Sequence, residues 1–537
     1  MNATQALELL FLIAGSCGIA ALARRLNFAA PILLVVAGLA ASYIPGLPEF
    51  RLSPTFVLLG VLPPLVYTAA LESSYLNLRD SVRSLTLLSV GLVLFTAAVV
   101  AWAVRLAIPG LPLAAAVTLG AILAPTDAVS AASIGRRLHL PRRLLTIITG
   151  ESMLNDGTAL TVYTVAVSAA AGTGTLALLS ATGSFLAISA GGVAVGIVLG
   201  IVIHIVRMRL RDPLAESALS LVAPFAAYLA AESLHVSGIL AVVVAGIYLG
   251  HHAGQAHFAT RLQDMAVWRV ATFVLESVAF ALIGLQLRPI IRELAGRDPG
   301  RLAVEAVIVL GVVVLARIVW VFPAIYLPRW LVPRLAVRDP SPPWQATAIL
   351  SWAGMRGVIS LAAAAALPAT VPERSLLIFL TFAAVLGTLL VQGLSLPLLI
   401  RWLGVTAGTA EQQSDVLAEA AAQQAASAAG LQRLDELTGT APPEIVDRLR
   451  RLTQYRQFGA WERVSHGRGP DGAEAPSAAF RRLRREMTTT ERATFIRLRD
   501  ERKIDDEVLD HVLRGLDLEE AMLAREQRDL TEDGAEQ

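Results

Sequence analysis

Apolar stretches of roughly twenty residues, the length that crosses a bilayer as an α-helix, recur along the chain as far as about residue 403. Polar or helix-breaking segments separate them. Thirteen spans are predicted, near 6–23, 29–45, 54–71, 84–108, 112–134, 144–171, 180–206, 215–233, 236–250, 264–287, 303–328, 345–367 and 374–403. The ninth is short for a crossing, and as a re-entrant segment it would leave twelve. The strands of a membrane barrel would alternate over about ten residues instead of running continuously apolar. The expected fold is therefore an all-α, polytopic membrane protein.

Beyond residue 403 the pattern changes. "AEQQSDVLAEAAAQQAASAAG" is polar and rich in strong helix formers. Further on, Thr488 stands three residues before Glu491 in "TTTERATFIRLRDERK", the spacing of a capping box, followed by apolar residues at helical intervals. A transmembrane region over 1–403 and a helical C-terminal region over 404–537 are expected, with a Gly/Pro-containing linker near 465–476.

Composition agrees with the pattern. Of 537 residues, 55% are hydrophobic and 16% charged, with a mean hydropathy of +0.61, far from a soluble domain of this size. The net charge of +2 gives no reason to expect a nucleic-acid partner. One cysteine, Cys17, excludes an internal disulfide. The first apolar stretch lacks a basic leader and a small-residue cleavage site, so it reads as a helix and not as a signal peptide. Arginine-rich loops ("RRLNF", "NLRDSVR", "GRRLHLPRR", "RMRLRD", "PRWLVPRLAVRD") follow odd-numbered spans, and only "RPIIRELAGRDPGR" falls on the other side. By the positive-inside rule the N-terminus is outside and the C-terminal region cytoplasmic.

Polar residues inside the spans carry the candidate chemistry, because a charge at the bilayer centre faces a cavity or a partner. In "GAILAPTDAVS" the fifth span should break at Pro125. The break frees carbonyls, and Asp127, just after Thr126, can offset the positive end of the helix that resumes. Asp127 reads either as that compensation alone or as a direct ligand. In "GESMLNDGTAL" the sixth span places Glu151, Ser152, Asn155 and Asp156 on one face about 140° wide. Four oxygen-bearing side chains on one face suit a hard monovalent cation, and no His/Cys cluster points to a transition metal. The twelfth span holds "SWAGMRGVIS", where Gly354 and Gly357 weaken the helix around Arg356, which could offset carbonyl ends. Arg317 in the eleventh span needs a counter-charge, for which Glu151 is the candidate. Glu276 in the tenth either lines the site or hydrogen-bonds within the bundle. If spans 1–6 and 8–13 are two repeats of opposite topology, the broken fifth and twelfth spans occupy equivalent places. That is the sequence sign of a transporter's midplane site.

These motifs resemble the NhaP-type sodium/proton antiporters of the monovalent cation:proton antiporter superfamily. "APTDAVS", "GESMLNDGTAL" and "SWAGMRGVISLAAAAALP" match that family's signatures in order, over roughly residues 5–403. The resemblance implies Asp156 as cation and proton carrier with Asn155 beside it. It also implies Thr126, Asp127 and Ser152 at the ion, a Glu151–Arg317 structural pair, and a homodimer. An Asn-Asp pair implies electroneutral exchange, one cation per proton. The chain departs from the family at Thr68 in "LPPLVYTAAL", where an acid is usual; Glu72, one turn on, is the candidate substitute.

The expected activity is exchange of a monovalent cation, Na+ first, for H+ by alternating access, with no cofactor. Free aspartate titrates near about 3.9. Burial disfavours the charge while a bound cation restores it, so proton and cation compete for one carboxylate. Exchange of K+ for H+ at the same site is the alternative, and a channel would carry cations without proton countertransport. An intramembrane aspartyl protease using Asp127 and Asp156 is a remote reading, since no G-x-G-D motif is present.

Overall fold

The computed structural model describes residues 3–26, 28–45, 55–171, 178–210, 212–294, 296–332, 334, 339, 341–406, 409–437, 442–464, 476–501, 503, 508–509, 512–513 and 515–523. Among them there is no strand, and every apolar stretch predicted above is helical. The chain separates into two compact units, Met1–Thr406 and Ala407–Gln537.

The first unit runs α1 (Ala3–Arg25), α2 (Ala30–Ala41), α3 (Phe56–Glu72), α4 (Tyr75–Asp80), α5 (Val82–Ala107), α6 (Leu113–Leu123), α7 (Ala128–Arg137), α8 (Arg142–Ala170) and α9 (Leu178–Leu210). It continues through α10 (Pro213–Ser233), α11 (Gly238–His251), α12 (Phe258–Leu285), α13 (Leu287–Glu293), α14 (Pro299–Leu331), α15 (Trp344–Trp352), α16 (Val358–Ala365) and α17 (Arg374–Leu403). Seven helical stretches among the described residues are long and apolar enough to cross a membrane; α2, α3, α6 and α11 are shorter apolar helices.

Prolines account for some of the irregularities in these helices. Pro63 and Pro64 have no N–H, and just ahead of them Leu62 donates five residues back to Val57, a π-turn at the start of α3. A second π-turn over Leu87–Gly91 leaves the Leu87 carbonyl able to accept the Trp320 indole N–H at 2.9 Å. Two larger interruptions replace whole turns. Span five stops at Leu123 and resumes at Ala128, and span twelve stops at Trp352 and resumes at Val358.

Buried polar groups hold these breaks. Arg317 of α14 makes a two-pronged ion pair with Glu151 of α8, Nη2 lying 3.0 Å from Oε2. The same guanidinium donates to the Leu350 carbonyl from Nε (3.3 Å) and Nη2 (3.0 Å), closing the carbonyl end of α15. A Cβ on Gly354 would sit 2.7 Å from Arg317 Nε, so only glycine leaves room for that arginine. Arg356, the residue expected to offset carbonyl ends, divides that work with Arg317: its Nη1 donates to Gly354 at 3.2 Å and its N–H to the Thr388 hydroxyl at 3.0 Å.

At the helix ends, Asp339 gathers Arg83 of α5 (2.8 Å), Arg329 of α14 (2.8 Å) and Arg143 of α8. Partial burial works to raise the Asp339 pKa, but the guanidiniums of Arg143, Arg329 and Arg83 hold it below its ordinary value.

In the second unit, α18 (Thr409–Glu436) packs on α19 (Pro443–Val464), and α20 spans Pro476–Asp500. Of the expected linker near 465–476, residues 465–475 lie outside the described residues and Pro476 is helical. The expected helix start at Thr488 is corrected. The chain is already helical from Pro476, the first described residue of α20, and Thr488 sits mid-helix with its hydroxyl on the Arg485 carbonyl at 2.9 Å. Glu491 faces Arg484 at 3.2 Å instead of a cap.

Arg317→Ala leaves Glu151 buried and unpaired, so it is expected to destabilise the solubilised protein by about 3–5 kcal/mol, read as a large fall in the thermal unfolding midpoint. Asp339→Asn is expected to cost roughly 1 kcal/mol at neutral pH. A depressed carboxyl contributes above its ordinary pKa and loses that contribution as pH falls through the folded value. The wild-type advantage over Asp339→Asn should therefore hold from about pH 8 to about pH 5 and disappear only below about pH 4.

Candidate ion-binding site

The two interruptions cross. Asp127 donates its N–H to the Met355 carbonyl at 2.8 Å, joining the broken fifth span to the broken twelfth. A Cβ on Gly357 would lie 2.9 Å from Asp127 Cβ, so glycine at 357 permits the approach. Asp127 is the N-cap of α7: Oδ1 accepts from Val129 N–H (3.2 Å), and Oδ2 accepts from Ser130 N–H (3.1 Å) and the Ser130 hydroxyl. This satisfies donors that Pro125 and the break leave exposed in a dry surrounding.

The polar face of α8 docks on that crossing. Ser152 donates its hydroxyl to the Thr126 carbonyl at 2.6 Å, and Asn155 Nδ2 donates to Thr126 Oγ1 at 2.7 Å. The Thr126 hydroxyl in turn donates to Glu151 Oε1 at 3.3 Å, tying the break to the Glu151–Arg317 pair. Glu151, Ser152, Asn155 and Asp156 are all buried, as the 100° periodicity requires of one inward face.

A cavity of about 80 Å3 lies where these elements meet, lined by Thr126, Asp127, Ser152, Asp156, Glu276 and Ser360 among polar groups, with Val61 and Leu65 of α3 closing it. At about 30 Å3 per water it has room for a cation with one or two waters. Asp156 is only 3% exposed, and its Oδ1 has no hydrogen-bond donor among the described residues. The Ser360 hydroxyl, also lining the cavity, is likewise without a partner. A buried carboxylate oxygen lacking a donor is costly unless a proton or cation occupies it. The polar lining is of hard oxygen donors, with no thiolate or imidazole among the described residues, which suits an alkali cation.

Of the residues singled out in the sequence, Thr126, Asp127, Ser152 and Asp156 line this cavity together. Asn155 stands behind Thr126, and Glu151 and Arg317 support from the far side. Thr68 and Glu72 do not line it. Thr68 bonds its own helix at the Leu65 carbonyl (2.9 Å), and Glu72 ends α3 in an exposed position. Ser360 was not singled out, although its place in the first turn after Gly357, beside a predicted break, was a usable signal. Glu276 of α12 resolves to a cavity-lining position.

Residues 11–402 match the family described as "Sodium/hydrogen exchanger, transmembrane". A protein of Mycobacterium tuberculosis named as an uncharacterized Na+/H+ exchanger is 35% identical, across 94% of this chain and 93% of that one. The Na+/H+ antiporter ApNhaP of Aphanothece halophytica is 32% identical over 76% of each chain. Among solved structures, the sodium proton antiporter MjNhaP1 from Methanocaldococcus jannaschii at pH 8 matches with a TM-score of 0.54 at 16% identity, covering 74% of this chain and 99% of that one. That likeness carries the fold, while the sequence matches carry the family. The chain belongs to the transmembrane sodium/hydrogen exchangers, in their NhaP-type branch.

Proposed function

We propose that this protein exchanges Na+ for H+ across the membrane at Asp156, one cation for one proton. The observation that carries the reading is the buried Asp156 Oδ1, which no donor among the described residues meets, on a small cavity whose mostly apolar wall holds the Ser152, Ser360 and Thr126 oxygens. With the proton on, the carboxyl group is neutral and tolerates a dry site. With the proton off, the charge needs a cation beside it. The two states exclude each other, and movement of the crossing helices against the rest of the bundle exposes either one to either side.

In this reading Asp156 is the ligand that also carries the proton. Ser360 and Ser152 supply neutral oxygens, and Asp127 holds the helix break open at the cavity edge. Thr126 forms part of the wall and is positioned by Asn155. Arg356 and the Glu151–Arg317 pair keep the surrounding charge balanced, so one carboxylate alone changes state. One cation for one proton moves no net charge. Two halves of opposite orientation, an outside N-terminus, a cytoplasmic second unit and a homodimer complete the proposal; the arginine-rich loops support the orientation.

In proteoliposomes, adding Na+ is expected to dissipate an imposed pH gradient, at a rate unchanged by an imposed membrane potential. Asp156→Asn should abolish the Na+-dependent flux while keeping the wild-type elution profile. Flux at the wild-type rate in that variant would contradict the proposal. Running K+ and Li+ in the same assay ranks the ions. Ser360→Ala removes one neutral oxygen, and is expected to raise the half-saturating Na+ concentration about fivefold with the maximal rate preserved.

A further inference from the structure

A second cavity, of about 660 Å3, adjoins the ion cavity and shares Val129, Glu276 and Phe280 with it. Four arginines from four helices converge on it: Arg24 of α1, Arg137 of α7, Arg269 of α12 and Arg401 of α17. All four are exposed, and among the described residues none makes an ion pair. Arg24 lies over the Phe273 ring at 3.9 Å. Several other helix-end arginines do find carboxylates: Arg83, Arg143 and Arg329 share Asp339, and Arg207 takes Asp264 at 2.7 Å. Here four guanidiniums share one lining carboxylate among the described residues, Glu276. The first turn of α2 adds to the positive field, because Ala29 provides no side-chain cap and Ala30 and Pro31 line the cavity.

Part of the wall is apolar. Leu394 (48% exposed) and Leu398 (66% exposed) of α17 line it, on a helix long and apolar enough to lie in the bilayer, so their open faces meet acyl chains. A cavity with unpaired cations at one end and a lipid-facing apolar wall fits an amphipathic anion better than a soluble one.

We propose that this cavity binds an anionic phospholipid from the adjoining leaflet, its phosphate held by Arg24, Arg137, Arg269 and Arg401 and one acyl chain lying along Leu394 and Leu398. The four charges, left unscreened, oppose the approach of a cation to Glu276, and a bound headgroup removes that opposition. This consequence rests on the function proposed above, whereas the binding does not, and the test reads binding.

Purified protein is mixed with equal amounts of phosphatidylglycerol and phosphatidylcholine carrying the same acyl chains, and bound lipid is counted by native mass spectrometry. Wild type is expected to prefer phosphatidylglycerol. Arg24→Gln with Arg269→Gln should weaken that preference about fivefold for each charge removed, while Arg24→Lys with Arg269→Lys should keep it. Arg401→Gln alone gives a second reading, about fivefold weaker, if the double variant does not fold. Equal binding of the two lipids to wild type, or an unchanged preference in the glutamine variants, would overturn the proposal. So would displacement of the lipid by millimolar inorganic phosphate, which would make the occupant a soluble anion.

Discussion

A backbone interrupted inside a bilayer exposes N–H and C=O groups that no water reaches, and each needs a partner from the protein itself. Around the ion cavity that requirement accounts for most of the polar residues. Asp127 caps the N-terminus of α7 and passes its own N–H to Met355. Arg317 and Arg356 take the carbonyls of Leu350 and Gly354 on the other broken span, and Thr388 accepts the Arg356 N–H. Once two guanidiniums are present, Glu151 is needed as a counter-charge, and through Thr126 it is tied to the first break. The break thus prescribes its own electrostatic neighbourhood.

Asp156 is the member of this group that the backbone does not use. Asp127 and Glu151 are occupied by N–H groups and guanidinium, whereas Asp156 presents an oxygen to the cavity with no donor opposite. In the proposed exchange that difference separates a structural acid from a carrier more clearly than burial does, since Glu151 and Asp156 are both nearly inaccessible. In that proposal Asp156 carries no charge with a proton on and is balanced by a monovalent cation with the proton off, while Glu276 lines the same cavity.

Much of this was legible from the residues. Hydrophobic run length located the helices, because bilayer thickness imposes it. Pro125 and the Gly354–Arg356–Gly357 group located both breaks, because proline and glycine act on their own backbone. The polar face of α8 followed from the helical period. Partnership across the bundle was less legible. Spacing did not say that Arg317 would share carbonyl duty with Arg356, nor that Ser360 would reach the cavity. Thr68 and Glu72 come from the family resemblance, as the position of a usual acid and its candidate substitute, but the first bonds its own backbone and the second stands at an exposed helix end. At Thr488 a local capping pattern lost to a longer helix, already formed at Pro476. The π-turn at Leu87–Gly91 had no local signal, since its partner, Trp320, lies far along the chain.

The central claim is competition between a proton and a sodium ion for one carboxylate. Adding Na+ to the purified, weakly buffered protein and following the pH tests it without vesicles or a driving gradient. The account predicts release of close to one proton per chain as Na+ binds, and none from Asp156→Asn. Sodium binding with no proton released, or equal release from the variant, would contradict it.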